Sequence, residues 1–218
     1  MVFVIIAAAA AVYILGYALV SLSNFRNNSE AERTLLTSQR TVSDQNGDTG
    51  MSFRYGLYKA RHNACEAIAV HNVKILLGRP SRLTDVIRRF QTGASMIGLG
   101  FFGSNVYMIG LALRREKIGY KRVRFNDIFE DGLYILCFWN KGAPWHGIHT
   151  VAALNRRGKW TSFNLHGWGT VYTESPMDYA KNFICGYRIT DYDEQKDGGS
   201  IRGDDNAGWP VPPLPKGR

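Results

Sequence analysis

The chain is poor in cysteine, proline and histidine, and no lysine or arginine precedes its first hydrophobic run. The three cysteines, Cys65, Cys137 and Cys185, are too few and too scattered for the disulfide framework of a small secreted domain. No second ligand pair has zinc-like spacing, so no metal is expected. No compact Lys/Arg block with interleaved aromatics occurs, which argues against nucleic acid as the partner. One G-x-G-x-x-G string, Gly98 to Gly103, follows a helical pattern instead of a strand. It therefore reads as a loop beside a substrate groove and not as a nucleotide fingerprint, and no cofactor is expected. Four of the seven prolines fall in the last nine residues, outside any packed core.

What is present begins with an uncharged, almost wholly apolar run from Val2 to Leu22. At about 1.5 Å per residue it covers a bilayer core of about 30 Å. Residues 1–23 therefore read as a retained single-pass anchor, with a cleaved signal and a secreted product as the alternative. Arg26, Arg33 and Arg40 follow the run, so the positive-inside rule favours a cytoplasmic C-terminal domain. The formal net charge of +9 would also suit anionic surfaces such as lipid headgroups or cell-wall polymers. Residues 24–52 read as a flexible linker, with a short helix near Glu30–Thr37 as an alternative within it. Residues 53–190 hold the folded domain, and 191–218 form a disordered Pro/Gly-rich tail.

Within the domain, an apolar helical pattern starts at Cys65, ends at Gly78 and is kept from continuing by Pro80. A second helix carries Leu83, Val86, Ile87 and Phe90. A third, capped by Ser104 or Asn105, carries Tyr107, Met108, Leu111 and Leu113. Strands follow at Lys121–Phe125, Gly132–Asn140, His149–Asn155, Lys159–Leu165 and Phe183–Ile189, with a hairpin turn at Asn155 to Gly158. Helices first and antiparallel strands afterwards predict an α+β domain. Cys137 and Cys185 lie in strands and read as small buried hydrophobes, with a mutual disulfide as the alternative.

Only Cys65 lies where a thiol can be activated. The first turn of a helix exposes it to unpaired N–H groups and the positive dipole end. A histidine can take its proton, and a third polar group can fix the ring tautomer. His149 opens an apolar strand, and Asn164 sits across the hairpin from it, within side-chain reach. Cys65, His149 and Asn164 are thus the candidate nucleophile, base and orienting residue. The Cys65 N–H is one oxyanion donor, and the Asn63 amide or the His62 ring the other. His146 reads as a loop residue near the cleft, His166 as the second choice for third member, and His71 as structural. Glu66 reads as a helix N-terminal acid that mildly opposes the thiolate.

These pieces are Asn63 to Asn72, Leu77 to Pro80, Phe102 to Asn105, Gly147 to Ala152, and Phe163-Asn164. Together they resemble papain-like cysteine peptidases, closest to the C39-like group of bacteriocin-processing peptidases and their relatives. The resemblance spans roughly Tyr55 to Ile189. It implies a papain-like α+β fold with the cysteine helix packed on an antiparallel sheet that carries the histidine. It also implies Cys65 as nucleophile, His149 as general base and acid, and Asn164 as orienter. Two departures stand out: no glutamine lies shortly before the cysteine, and the third member is asparagine where aspartate is common.

The function expected is a membrane-anchored thiol peptidase cleaving a peptide or protein amide through an acyl-enzyme. The alternatives are a cell-wall amidase or endopeptidase of the thiol-hydrolase type, and a non-catalytic papain-fold binding or toxin module.

Overall fold

A computed structural model of the chain describes residues 1–35, 41–42, 44–45, 53–79, 81–93, 95–140, 147–165, 175–178 and 180–193. Pro80, His146, His166 and the proline-rich tail lie outside these residues, as does most of the stretch between 36 and 52.

The first element, α1, runs from Val2 to Leu35. Its portion Val2–Ser29 is long and apolar enough to cross a membrane. The helix does not end at Ser23 but continues through the first part of the stretch read as a linker. Glu30, Ala31, Glu32, Arg33 and Leu35 are good helix formers and sustain it. Asn24 and Asn28, one turn apart, lie on one face of the helix. Asn24 Nδ2 donates to the Gly56 carbonyl at 2.6 Å. Asn28 Nδ2 donates to the Arg54 carbonyl at 2.9 Å, and its Oδ1 accepts from the Arg54 N–H at 2.7 Å. The C-terminal part of α1 is thereby fixed to the domain.

A two-stranded ribbon, β1 (Arg54–Tyr55) and β2 (Tyr58–Lys59), leads into a helical turn α2 (Ala60–Asn63) and the helix α3 (Cys65–Leu76). Residues Cys65 to Val73 of α3 are all buried, because other elements cover the helix on every side. It packs on the sheet and on α4 (Leu83–Thr92), and more lightly on α5 (Ile109–Arg115). The apolar stripe Leu83, Val86, Ile87 and Phe90 faces inward along α4, as its spacing requires. The third helix starts later than its pattern suggests. Asn105 accepts from the Tyr107 N–H at 3.0 Å and caps a 3-10 turn at Val106–Met108 that precedes α5.

The rest is one antiparallel sheet of β3 (Tyr120–Val123), β4 (Gly132–Asn140), β5 (Ile148–Arg156), β6 (Lys159–Phe163) and β7 (Ala180–Ile189), in the order β3-β7-β4-β5-β6. The protein is therefore α+β, with a long apolar N-terminal helix. The near-continuous apolar run of β4 is explained by its central position. Leu133, Ile135 and Cys137 face the α3 side, whereas Tyr134, Leu136 and Phe138 join a second cluster with Val151, Ala153 and Trp160. The hairpin after β5 turns through Arg157 (φ 51°) and Gly158 (φ 76°), two successive left-handed residues that suit a tight antiparallel turn. Cys137 and Cys185 are direct cross-strand partners, and both thiols are free.

Candidate active site

The open end of β5 builds the site. Strand β6 stops at Phe163, which pairs with Ala152, so the ladder on that side of β5 ends before Thr150. Side chains alternate along a strand. The His149 ring therefore lies on the face away from α3, edge-on to Phe138 with ring centroids 6.0 Å apart. The next side chain, Thr150, lies on the α3 face, where its hydroxyl donates to the Cys137 sulfur at 3.5 Å.

Cys65 is the first residue of α3 and is only 5% exposed. The groups that act on its thiol are Glu66 and Thr150. Burial pushes the thiol well above its ordinary pKa, the Glu66 charge adds to the rise, and the two Thr150 donors oppose it. The thiol is therefore neutral in this arrangement. It is also outside the main apolar cluster that contains its neighbours Ala64, Ala67 and Ile68.

Glu66 lies in the first turn of α3. It is buried, and burial, the largest influence, drives its carboxyl up to about 7. Its own N–H, the Cys65 thiol, and the N–H and hydroxyl of Ser104 favour the charged form and limit that rise. Its Oε2 has no hydrogen-bond partner among the described residues. Ser104 in turn shares a short hydrogen bond with the Tyr55 hydroxyl.

His149 and Asn164 meet, but through the main chain. His149 Nε2 lies 2.5 Å from the Asn164 carbonyl oxygen. A carbonyl only accepts, so Nε2 carries the hydrogen and Nδ1 carries the lone pair of the neutral ring. Asn164 adopts φ 66°, a left-handed conformation asparagine tolerates better than most residues, and this aims its carbonyl at the ring.

The Asn164 carboxamide serves a different partner. Its Oδ1 accepts from the Gln45 N–H at 2.8 Å, and its Nδ2 donates to Gln45 Oε1 at 2.8 Å. Gln45 Nε2 then donates to the Arg61 carbonyl at 2.7 Å, in the turn just before Cys65. Three residues earlier, the Val42 N–H and carbonyl are bound by the Asn72 carboxamide of α3, at 2.7 and 2.9 Å. The segment around 42–45, read from sequence as linker, is thus pinned beside α3 at both ends. Gln45 lies twenty residues before Cys65, so no local spacing in the sequence links it to the site.

Asn63 is buried, and its Nδ2 donates to the Gly100 carbonyl. Its Oδ1 has no hydrogen-bond partner among the described residues. Its amide hydrogens are therefore directed at the glycine loop in this arrangement. His62 is exposed, and its Nε2 accepts from Arg61 Nε at 3.1 Å. Partial burial, then Arg61 and Lys59, lower its pKa. His71 is fully buried within α3. A cleft between α3, α4 and α5, lined by Val70, Phe90, Leu111 and Ala112 among others, includes none of Cys65, His149 and Asn164.

No family model, no curated protein and no solved structure matches this chain, so its chemistry is argued from its own residues.

Proposed function

We propose that the chain is a membrane-anchored thiol hydrolase of the papain-like kind, cleaving peptide amides with Cys65 as nucleophile and His149 as general base and acid. One observation carries the reading. Cys65 opens α3, which packs on β5, and β5 carries His149 with its ring held at Nε2 by the Asn164 carbonyl. The unprotonated nitrogen is then Nδ1, which carries the lone pair that a base uses.

In the reaction, the His149 ring first turns from the face of β5 away from α3 toward Cys65, and the thiol proton passes to its Nδ1 as the sulfur attacks the substrate carbonyl carbon. The carbonyl electron pair moves to oxygen, and the N–H groups of the first turn of α3 are suited to receive that charge. Collapse breaks the C–N bond, and the amine leaves with the proton returned from Nδ1. The resulting thioester is hydrolysed by water with His149 again as base. Thr150 favours the thiolate, whereas charged Glu66 opposes it, so protonation of Glu66 assists the first step. Asn164 positions the ring through its main-chain oxygen, and Gln45 holds Asn164.

A non-catalytic papain-fold module is the second reading. The specific observation favouring it is that burial and Glu66 raise the thiol pKa, opposite to a pre-activated nucleophile. Incubating the full chain in bilayers with a mixed peptide library, and identifying cleavage products by mass, decides between the two. Products that vanish in both Cys65→Ala and His149→Ala support the hydrolase. Products unaffected by either change, or none at all, support the module.

A further inference from the structure

The uncharged stretch of α1 and its docking to the domain overlap, and the overlap sets the depth of the domain surface. The almost wholly apolar run from Val2 to Leu22 has a length of about 30 Å that matches a bilayer core. Contact with the domain starts inside that run, where the Tyr17 hydroxyl accepts from the Met96 N–H at 3.4 Å. Further along, Asn24 and Asn28 bind the β1–β2 ribbon, and the Arg88 guanidinium lies 5.2 Å from the centre of the Phe25 ring. The docked helix cannot slide outward without breaking these contacts. Tyr17 lies five residues before Leu22, about 7 Å deeper along the helix axis. The 3-10 turn at Gly98–Gly100 also touches α1, so the surface around 96–102 sits at that depth.

That surface is apolar. Phe102 is 71% exposed, Phe101 58%, Leu57 53%, Ile97 43% and Tyr58 38%. They form one patch: Phe101 stacks edge-on against Tyr58 and Phe102, with centroids 5.5 and 4.8 Å apart, and the Leu57 N–H donates to the Leu99 carbonyl at 3.0 Å. Contiguous exposed aromatics of this kind mark a contact surface. Exposed Arg54 and Lys59 border the patch within the β1–β2 ribbon, as cations flank apolar groups at a lipid interface.

We propose that this patch is a second membrane contact, dipping into the headgroup–acyl boundary of the leaflet where α1 emerges and laying the domain against a phospholipid surface. The inference rests on α1 as a membrane anchor and not on the thiol chemistry. It also places the site close to the bilayer, because the Gly100 carbonyl in the same loop binds Asn63, two residues before Cys65.

The test uses the full chain, with Cys65→Ser and Cys185→Ser to remove competing thiols and fully buried Cys137 retained. An environment-sensitive fluorophore is attached at Phe102→Cys, at Val12→Cys on exposed α1, or at Lys159→Cys on the exposed β5–β6 turn. Each protein is reconstituted into phosphatidylcholine–phosphatidylglycerol vesicles containing lipids spin-labelled near the headgroup or deep in the chain. Position 102 is expected to be quenched several-fold more strongly than 159, and more by the shallow label than by the deep one. Quenching at 12 but no excess at 102 over 159 overturns this inference and leaves the anchor standing. Absence of quenching at 12 removes the anchor and this inference with it. A blue-shifted but unquenched probe at 102 means that protein covers the patch, either a second copy or another partner, and also overturns the proposal.

Discussion

Gln45 and Asn164 close a ring of two hydrogen bonds across 119 residues of sequence, each 2.8 Å long. The ring sits directly behind the carbonyl that meets His149, and Gln45 extends it to the turn before Cys65. Asn164→Gly preserves the left-handed backbone and the carbonyl but removes the carboxamide. Because the imidazole is held by the main chain, this variant should keep kcat/KM on a cleavable peptide within about tenfold of the parent. His149→Ala should lose roughly 10²–10⁴-fold. Equal losses in the two would show that the carboxamide itself orients the ring. Stability should suffer in Gln45→Ala, by about 1–3 kcal/mol in chemical denaturation, since Asn164 Nδ2 and the Arg61 carbonyl both lose a partner.

Glu66 couples the site to pH. Its folded pKa, about 7, lies above the ordinary 4.5, so between those values the native protein retains a proton that the unfolded chain has released. Stability from this group is complete below about 4.5 and is lost as pH rises through about 7, a swing of up to roughly 3 kcal/mol. Thermal unfolding of the full chain in detergent should show Tm falling from pH 5 to 7.5. Glu66→Gln should flatten that slope and, by removing a charge that opposes the thiolate, speed alkylation of Cys65 above pH 7. An unchanged slope in the variant would mean that Glu66 does not carry the linkage.

The docking of α1 rests on named hydrogen bonds, and Asn28 makes two of them with Arg54. Asn28→Ala removes both partners' counterpart and should cost about 1–3 kcal/mol. Hydrogen exchange at the Arg54 amide should accelerate by at least tenfold for each 1.4 kcal/mol lost locally. No change at Arg54 would indicate that α1 is not seated on the ribbon.

Local signals in the sequence were sufficient wherever neighbours decide the structure. The apolar spacing after Cys65, the stop at Gly78 and the Arg157-Gly158 turn each involve residues within a few positions of one another, and the helix and hairpin appear there. The continuation of α1 to Leu35 was hidden because Asn24 and Asn28, poor helix formers in isolation, are satisfied by backbone groups of the distant β1 strand. Gln45 gave no signal because its partners are Arg61 and Asn164, which no local spacing connects. Glu66 reads from sequence as a helix N-terminal acid that opposes the thiolate, and its burial beside Ser104 involves residues that no local spacing connects. The pairing of His149 with Asn164 was legible as proximity across a hairpin. That the contact uses a main-chain oxygen follows from a left-handed φ that sequence does not reveal.

The most direct test of the account is covalent capture at the proposed nucleophile. The full chain in bilayers is incubated with a peptidyl chloromethyl ketone, digested, and the modified cysteine identified by mass, for the parent and for His149→Ala. The hydrolase account predicts modification at Cys65 alone, although Cys185 is the more exposed thiol, and its loss in His149→Ala. Modification at Cys185 without Cys65, or modification at Cys65 that is indifferent to His149, would contradict it.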